Sequence, residues 1–304
     1  MNRTIIAVPG LLGIVSGATF LPSAVDPPGQ IHRRPAIMTT LTQPKIEFEQ
    51  PARGWVQTNC RFGMPELAED HPYGPTWIVP HEGYVLQLST VDKIPLWVSE
   101  KVTEAQISGD RPRRDLFRFD PTVPEHLQAG KPDYVRTGYD RGHQAPAGDQ
   151  TSNQRLKDDT FFLTNMSSHK PRLNRSIWRF LEEWARDQIT ATAPVYIITG
   201  PIFYDSLEEN PQTADGLVEY YSIGPGGVSV PTHFYKIVLQ ANGGRWRAIA
   251  FVLENRSHSR GERFEDFRRS IDWIEARTAI DFFPEMDDAI EDALESEIAA
   301  MWDQ

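Results

Sequence analysis

An acid, a guanidinium and an imidazole occur close together in the segment Asp140–His143. Histidine has an unperturbed pKa near neutrality, so His143 is a candidate general base. Arg141 carries a fixed charge whose planar fork matches a phosphate group. Gly142 permits backbone angles that a side chain would forbid, which allows Arg141 and His143 to point at one target. The segment therefore suits proton transfer beside a phosphate, or else it is a polar turn with an Asp140–Arg141 salt bridge and a solvated histidine.

A second group of polar side chains lies about thirty residues downstream. If a helix begins near Asn174, then Asn174, Trp178 and Glu182 drift by only about 40° per step of four residues around its axis. Asn174 and Glu182 would then address one side of a cleft. In the alternative interpretation, Asn174 is an N-cap and Glu182 belongs to a solvated helix face.

Periodicity predicts the elements that must position these groups. Strands are predicted at Tyr84–Ser89, Leu96–Val102, Val195–Gly200, Val218–Ile223, Val228–Leu239 and Trp246–Leu253, and helices at Ser176–Ile189, Phe264–Ile280 and Asp288–Trp302. Turns at 91–95 and 224–227 join neighbouring strands into two hairpins. The pattern predicts an α+β fold with a central, mostly antiparallel sheet flanked by helices. Phosphate-loop, dinucleotide-binding, zinc-protease and serine-hydrolase signatures are absent from the sequence.

Charge is unevenly distributed along the 304 residues, whose formal net charge is −11. An acidic chain argues against a nucleic-acid partner, because phosphate binding uses lysine and arginine. Nine acidic residues and no basic one, however, lie between Asp281 and Gln304, whereas the stretch from Lys131 to Arg186 has ten basic and seven acidic residues. The candidate site is therefore net basic. The single cysteine, Cys60, excludes a disulfide framework and a zinc site built on several thiolates.

Four segments are predicted along the chain. Residues 1–24 form a signal peptide or N-terminal leader, 25–58 a low-complexity linker, 59–285 the folded domain and 286–304 an acidic amphipathic helix. The leader favours a secreted or periplasmic protein, with a mitochondrial location as the alternative if the source is eukaryotic. No stable membrane partner is expected unless the leader is retained as an anchor.

Ile290, Leu294, Ile298 and Trp302 are predicted to share one face of the C-terminal helix. That helix either docks its apolar stripe on the body of the protein or shields the basic cleft as a phosphate mimic. Among the other histidines, His233 is expected in the core and His258 in a solvated loop. Cys60 is expected to be either a small buried residue or an exposed thiol.

The spacing of these motifs resembles that of the DNA/RNA non-specific endonucleases, and most closely the endonuclease G branch. Asp140-Arg141-Gly142-His143 is followed by Leu173-Asn174-x-x-x-Trp178-x-x-Leu181-Glu182. Further matching motifs are Arg61–Pro65, the Tyr84–Val102 hairpin, Asp110-Arg111, Phe117–Asp120, Asp159–Asn165, Thr199–Pro201 and Val230–Lys236. The resemblance runs from Arg61 to Pro284 and implies a ββα-metal, or His-Me finger, nuclease fold.

The resemblance also implies site roles. His143 would be the general base that deprotonates the attacking water. Asn174 would be the direct protein ligand of Mg²⁺, with Mn²⁺ as an alternative, and Glu182 would hold water molecules of the ion's hydration sphere. Supporting roles fall to Arg141 as the phosphate contact, Arg111 as the arginine that steadies the transition state, Asp140 as the residue that orients the loop and Asn165 as a support of the site. Arg113, Arg114 and Arg118 lie close to Arg111 and are alternatives for its role.

The implied activity is Mg²⁺-dependent, sugar-non-specific hydrolysis of DNA and RNA that leaves 5′-phosphates, by a protein that resembles the homodimeric endonuclease G. Ser168-His169 stands where the family commonly has Pro-Gln, and His169 is expected at the cleft wall. Two alternatives remain open. One is a nuclease-like scaffold that binds nucleic acid or a protein partner without cutting. The other is a phosphodiesterase for small nucleotides.

Overall fold

The computed structural model describes residues 30–35, 48–68, 71–210 and 212–302. The predicted leader, 1–24, lies outside the described residues. Within them, no helix combines the length and the apolar character that crossing a membrane requires.

The elements alternate short helices with strands along the chain. The strands are β1 Gln30–Pro35, β2 Glu66–Leu67, β3 Thr76–Pro80, β4 Val85–Ser89, β5 Ile94–Val102, β6 Asp140–His143, β7 Met166–His169, β8 Val195–Ile202, β9 Leu217–Ile223, β10 Val228–Val230, β11 His233–Asn242, β12 Arg245–Glu254, β13 Arg268–Arg269 and β14 Ile280–Asp281. The α-helices are α1 Ala52–Asn59, α2 Glu104–Ile107, α3 Gln154–Asp159, α4 Trp178–Asp187, α5 Ile271–Thr278 and α6 Asp288–Glu295. A π-helix, Leu173–Ile177, runs directly into α4.

Seven strands form the central sheet in the order β13-β12-β11-β8-β5-β4-β3, and every neighbouring pair is antiparallel. The predicted hairpin between β4 and β5 is confirmed. Three smaller sheets, β1-β9-β10, β14-β2 and β6-β7, complete the strand pairing. The predicted α+β class with a mostly antiparallel sheet is therefore confirmed.

Both faces of the central sheet are buried, so its middle strands are apolar on both sides rather than alternating with polar residues. Along β11, Phe234 and Val238 pack toward α4, while Tyr235 and Ile237 pack toward α5 on the opposite face. On α4, residues spaced three or four apart face the sheet: Trp178, Leu181, Trp184 and Ala185 are all buried. Full burial of a large apolar side chain contributes about 1.5–3 kcal/mol, so these residues fix the helix firmly on the sheet.

Two predicted elements are divided in the structure. Val228–Leu239 forms β10 and β11, which lie in different sheets, because Pro231 has no N–H to continue the ladder and the chain crosses there. The predicted helix Phe264–Ile280 becomes a 3₁₀ turn, the short strand β13 and α5. Ser270 accepts a hydrogen bond from the backbone N–H of Trp273 and so begins α5 at Ile271.

The two ends of the predicted domain also differ from expectation. The segment 25–58, interpreted as a linker, contains β1, which pairs with β9, and most of α1. The C-terminal helix ends at Glu295 rather than at Trp302. Of the predicted stripe, Ile290 and Ile298 are 44% and 60% exposed, so the four residues do not share one buried face.

Candidate active site

Strands β6 and β7 and the helix that follows form one ββα unit. The two strands pair antiparallel, with His143 opposite Met166 and Gly142 opposite Ser167. The chain is helical from Pro171 onward, so Asn174 lies inside the first helical turns, where its backbone N–H donates to the carbonyl of Lys170 at 3.0 Å. The N-cap interpretation of Asn174 is therefore wrong, and its side chain is available for another contact.

The π-helix places Asn174 at a wider turn than an α-helix allows, and such turns are frequent at functional sites. Trp178, at the first position of α4, is fully buried and anchors the junction. Asn174 and Glu182 are half-buried and both line the same open cleft of about 820 Å³. The predicted placement of these two residues on one side of a cleft is confirmed.

Asp140 connects the strand to the helix. Its carboxylate accepts a hydrogen bond from the side-chain amide of Asn174 at 3.0 Å and two from the guanidinium of Arg175, at 2.7 and 2.6 Å. The alternative interpretation with an Asp140–Arg141 salt bridge is wrong, since Arg175 takes that place. Because the amide nitrogen of Asn174 is held by Asp140, its carbonyl oxygen is left as the free acceptor of that side chain.

His143 is only 8% exposed, so the prediction of a solvated histidine is wrong. Its ring packs edge-on against Phe161 and also contacts Phe117, with centroid separations of 4.8 and 5.9 Å. The Nε2 atom has no hydrogen-bond partner among the described residues. Burial, with the nearby charge of Arg113, lowers the pKa of His143 to about 3. The ring is therefore neutral at physiological pH and can accept a proton.

Gly142 is required by close packing against a neighbouring side chain and not, as the sequence suggests, by an unusual backbone conformation. Its φ angle is not positive, so no special backbone freedom is used there. A Cβ atom at this position would instead lie 2.2 Å from Cγ of His169. The His169 ring thus occupies the space beneath the strand that carries His143, and only glycine leaves room for it.

His169 is fully buried, which corrects its expected position at the cleft wall. Its ring contacts Phe234 on the central sheet at a centroid distance of 3.8 Å and Trp178 on α4 at 5.5 Å. Nε2 of His169 lies 3.2 Å from the side-chain amide of Gln144. This residue therefore joins the His143 strand to both the sheet and the Asn174 helix from below.

Substituting Gly142 with alanine is expected to destabilise the protein by about 1–3 kcal/mol, because the new methyl group overlaps the His169 ring. In a His169→Ala background the same change is expected to cost at least about 1 kcal/mol less, since the obstacle is gone. Urea unfolding of the four proteins in this cycle measures the coupling. Equal costs in both backgrounds would show that the contact is not the reason for glycine.

Burial of His169 also predicts a pH effect on stability. Burial, with the charge of Lys236, lowers its pKa to about 3, below the value of about 6.5 in an unfolded chain. Above pH 6.5 both states are neutral, whereas between about 6.5 and 3 only the unfolded state gains the proton. In His169→Gln the free energy of unfolding should therefore fall with decreasing pH less steeply than in the wild type, by about 1.4 kcal/mol per unit. The exposed control His126→Gln should leave the slope unchanged.

Glu182 lies in a different electrostatic setting. Burial raises its pKa to about 7, with Asp149 adding to the shift and Lys236 and Arg186 opposing it. Arg186 is itself held by Asp149 at 2.6 Å. Lys236 is fully buried and donates to Thr199 at 2.6 Å. The carboxyl group therefore loses its proton readily when a cation is brought near it.

Asn165 supports the segment that follows His143. Its side chain accepts a hydrogen bond from the backbone N–H of Ala145 at 2.9 Å and donates to the carbonyls of Ala145 and Thr160, each at 2.9 Å. The backbone carbonyl of Asn165 accepts from Gln144. These contacts, all buried, hold the chain after β6 against the end of α3.

Six basic residues of the described chain line the cleft. They are Arg113, Lys131, Arg141, Arg175, Arg179 and Arg186. Arg141 lies over the Phe117 ring at 4.1 Å and forms no ion pair with any described residue. Arg111 is not among the lining residues, and its exposed side chain points to the carbonyl of Ser152 at 3.5 Å. Arg113, one of the alternatives, lines the cleft, whereas Arg111 does not, and the role of the upstream arginine stays a prediction.

The sequence prediction missed several residues of the site. Arg175 was missed as the partner of Asp140, although it follows Asn174 directly. Arg186 lies four residues after Glu182, a spacing that puts both on one helix face and could have identified it. Lys236 was part of the matching motif Val230–Lys236 but was given no role, because it lies within an apolar strand far away in the chain. The C-terminal segment contributes no lining residue to the cleft within the described residues, and Trp302 packs on Trp184, which favours the alternative in which the segment docks on the body of the protein.

The chain that contains this ββα unit is similar to a known protein family. A family profile described as DNA/RNA non-specific endonuclease matches residues 75–289. The chain belongs to this family. Mitochondrial endonuclease G of Homo sapiens is 34% identical over 229 residues, which cover 74% of this chain and 73% of that protein. Nuclease C1 of Cunninghamella echinulata var. echinulata is 33% identical over 75% of this chain and 88% of its own.

A solved structure agrees with the sequence relatives. The endonuclease of a solved EndoG/EndoGI complex matches this structure with a TM-score of 0.68 at 26% sequence identity. The match covers 79% of this chain and 95% of that chain. The predicted ββα-metal nuclease fold is thus confirmed. As a DNA/RNA non-specific endonuclease, the protein is an enzyme that hydrolyses phosphodiester bonds.

The donor set of this endonuclease site suits a hard divalent cation. The free amide oxygen of Asn174 and the carboxylate of Glu182 line the same cleft, and oxygen donors of this kind are those that Mg²⁺ prefers. The helix that carries Asn174 and Glu182 contains no cysteine or histidine. His143 is the one histidine that lines the cleft within the described residues, so no thiolate or histidine cluster is formed there. The site therefore fits an oxygen-liganded metal and not a structural zinc.

Proposed function

We propose that the protein is a Mg²⁺-dependent, sugar-non-specific endonuclease that cuts DNA and RNA and leaves 5′-phosphates. One observation carries the proposal: Asp140, three residues before His143 on the same strand, hydrogen-bonds Asn174 on the helix. That contact fixes the candidate base and the candidate metal ligand at one cleft. A scissile phosphate bound there has an imidazole and an amide oxygen within the same ββα unit.

His143 accepts the proton of the attacking water in this proposal. The ring is held by Phe161 and Phe117, and its lowered pKa keeps it neutral. A base with so low a pKa needs help from charge that stabilises the developing hydroxide and phosphorane. General-base catalysis supplies about 10²–10⁴-fold, so electrostatic stabilisation by the cleft must supply the larger share.

Asn174 would hold the divalent cation, and Glu182 would order water around it. When bound, such an ion supplies charge neutralisation for the phosphate and for the leaving 3′-oxygen. Asp140 keeps the Asn174 amide turned with its oxygen outward, and Arg175 holds the Asp140 carboxylate in that position. Mg²⁺ is the ion proposed, and Mn²⁺ is the alternative with the same ligand preference.

The basic cleft wall explains low selectivity. Contacts from Arg141 and its neighbours to phosphate carry no information about base sequence, and they do not require a deoxyribose. The same charges attract either polymer, although the chain as a whole is acidic, because the acidic residues are concentrated in the C-terminal segment away from the cleft.

Substitution of Arg113 should lower the activity far more than substitution of Arg111. Arg113→Ala is expected to lower kcat/KM for plasmid DNA by about 10²-fold, because a positive charge that lines the cleft beside the phosphate is lost. Arg111→Ala, the control two residues away, should change it by no more than about threefold, since only an exposed, long contact to Ser152 is removed. A larger loss of kcat/KM in Arg111→Ala than in Arg113→Ala would show that Arg111 is the arginine that steadies the transition state.

Digestion of supercoiled plasmid and of an RNA transcript tests the proposed activity. Both polymers should be degraded with Mg²⁺ and neither with EDTA, and the fragment ends should accept a kinase label only after phosphatase treatment. Polymers that are bound but uncut with Mg²⁺ present would favour the scaffold alternative. Intact polymers with hydrolysed dinucleotides would favour the small-nucleotide phosphodiesterase.

Location and assembly follow from the relatives by analogy. The name of the human relative places it in mitochondria, which favours the mitochondrial alternative over a secreted or periplasmic location. A homodimer is proposed on the resemblance to the endonuclease G branch. N-terminal sequencing of the mature protein and light scattering of the purified chain test these two points.

A further inference from the structure

We propose a second cation site, for Ca²⁺, between α5 and α6, formed by the carboxylates of Asp272, Glu275 and Glu295. This site lies outside the catalytic cleft, whose lining residues all fall between Arg113 and Arg186. One carboxylate oxygen from each of the three residues lies within 4.8 Å of the other two. Two helices separated by the strand β14 thus bring three acidic groups to one point.

The donor set of the cluster suits Ca²⁺. Ca²⁺ takes about six to eight oxygen ligands, carboxylates among them, at about 2.3–2.6 Å, so three carboxylate oxygens that lie within 4.8 Å of one another can belong to one coordination sphere. Ca²⁺ also tolerates irregular geometry and takes additional water or carbonyl oxygens. The exposed position of Asp272 leaves a path for the ion to enter.

Glu295 is the observation that points to a ligand. It is 6% exposed, its Oε1 atom has no hydrogen-bond partner among the described residues, and one of its carboxylate oxygens lies within 4.8 Å of an oxygen of each of the other two residues. A buried polar oxygen without a partner is costly, and a bound cation removes that cost. Glu275 uses one oxygen to accept from the backbone N–H of Phe282 at 2.9 Å and keeps the other available.

The surroundings offer no other counter-charge. None of the three carboxylates forms an ion pair within the described part of the chain, and the nearby Arg277 is engaged with Glu209 instead. Burial and neighbouring carboxylates raise the pKa of Glu275 to about 7 and that of Glu295 to about 9. The cluster therefore favours either shared protons or a cation, and the buried Oε1 of Glu295, which has no hydrogen-bond partner among the described residues, favours the cation.

A bound ion would fasten the C-terminal segment to the enzyme. α6 carries Glu295 and α5 carries the other two ligands, so the ion bridges two helices that otherwise repel. Beyond α6, Trp302 packs on Trp184 of α4, with ring centroids 5.7 Å apart. The site thus stabilises the segment that covers the outer side of the helix bearing Glu182.

Thermal unfolding of the full chain, stripped of metal, tests the proposal. At about 10 mM CaCl₂, roughly ten times the weakest Kd of extracellular Ca²⁺ modules, the unfolding temperature of the wild type should rise by about 3–6 °C relative to EGTA. Glu295→Gln should show no rise, while the matched control Glu297→Gln, exposed on the same segment, should behave as the wild type. Asp272→Asn, at an exposed position, provides a second test if Glu295→Gln folds poorly.

Each outcome bears on the site. Any Ca²⁺ binding in the catalytic cleft is common to all variants, so a rise that persists in both Glu295→Gln and Asp272→Asn would overturn the proposal. A wild type without any rise, combined with a higher unfolding temperature of Glu295→Gln in EGTA, would show that shared protons and not a cation resolve the repulsion. Loss of the rise in both variants but not in Glu297→Gln would establish the site.

Discussion

Replacing His143 with alanine is expected to lower the rate of phosphodiester cleavage by at least about 10²–10⁴-fold, because the base that accepts the proton of water is removed. Burial between Phe161 and Phe117 keeps the ring neutral and in one orientation, so no other histidine can substitute for it. Initial rates of plasmid nicking at saturating Mg²⁺ measure the loss. The affinity for uncut DNA in EDTA should change little, since Arg141 and the other cleft arginines remain.

The matched control for this variant is His126→Ala, which removes an exposed imidazole outside the cleft. It should retain wild-type activity. Far-UV circular dichroism and urea unfolding check that His143→Ala is folded. Normal nicking by a folded His143→Ala protein would reject the proposed mechanism.

Asn174→Ala is expected to raise the Mg²⁺ concentration for half-maximal activity by at least about 10–100-fold and to lower kcat at any accessible Mg²⁺ concentration. The variant removes the amide oxygen that Asp140 turns toward the cleft, and it leaves the partly buried Asp140 carboxylate with Arg175 alone. Metal titration of the cleavage rate, at fixed DNA, measures both effects.

Asn242→Ala, at the exposed end of β11, serves as the control for the loss of one carboxamide. It should leave the titration midpoint unchanged. Asp140→Asn adds a sharper comparison, because it keeps the size of the side chain but weakens the hold on Asn174 and Arg175. A midpoint in Asn174→Ala equal to that of the wild type would reject the ligand role.

Local sequence patterns predicted most of the scaffold correctly. The β4-β5 hairpin, the strands β8 and β12 and the helix α4 each follow from a short run of residues whose periodicity is set within the element itself. The errors in element bounds have local causes as well. Pro231 ends β10, and Ser270 caps α5 in the middle of what reads as one long helical pattern.

Histidines were harder to place than strands. His258, expected in solvent, is 4% exposed, because its ring packs on Phe267 and its Nε2 lies 2.9 Å from the carbonyl of Glu254. His233, expected in the core, is half-buried against Tyr204 at the first position of β11, so it lies at the edge of the core and not within it. Cys60 is buried, so the exposed-thiol alternative is wrong.

The sequence by itself determined the chemistry that is available: an imidazole and a guanidinium around one glycine, and a carboxamide and a carboxyl group at helical spacing. Only the tertiary structure decided how these groups meet. Asp140 binds Asn174 and Arg175 rather than its neighbour Arg141, Arg113 and not Arg111 lines the cleft, and His169 lies beneath Gly142. The physical reason is that side-chain spacing within an element is fixed by backbone periodicity, whereas contacts between elements depend on packing, which no local pattern encodes.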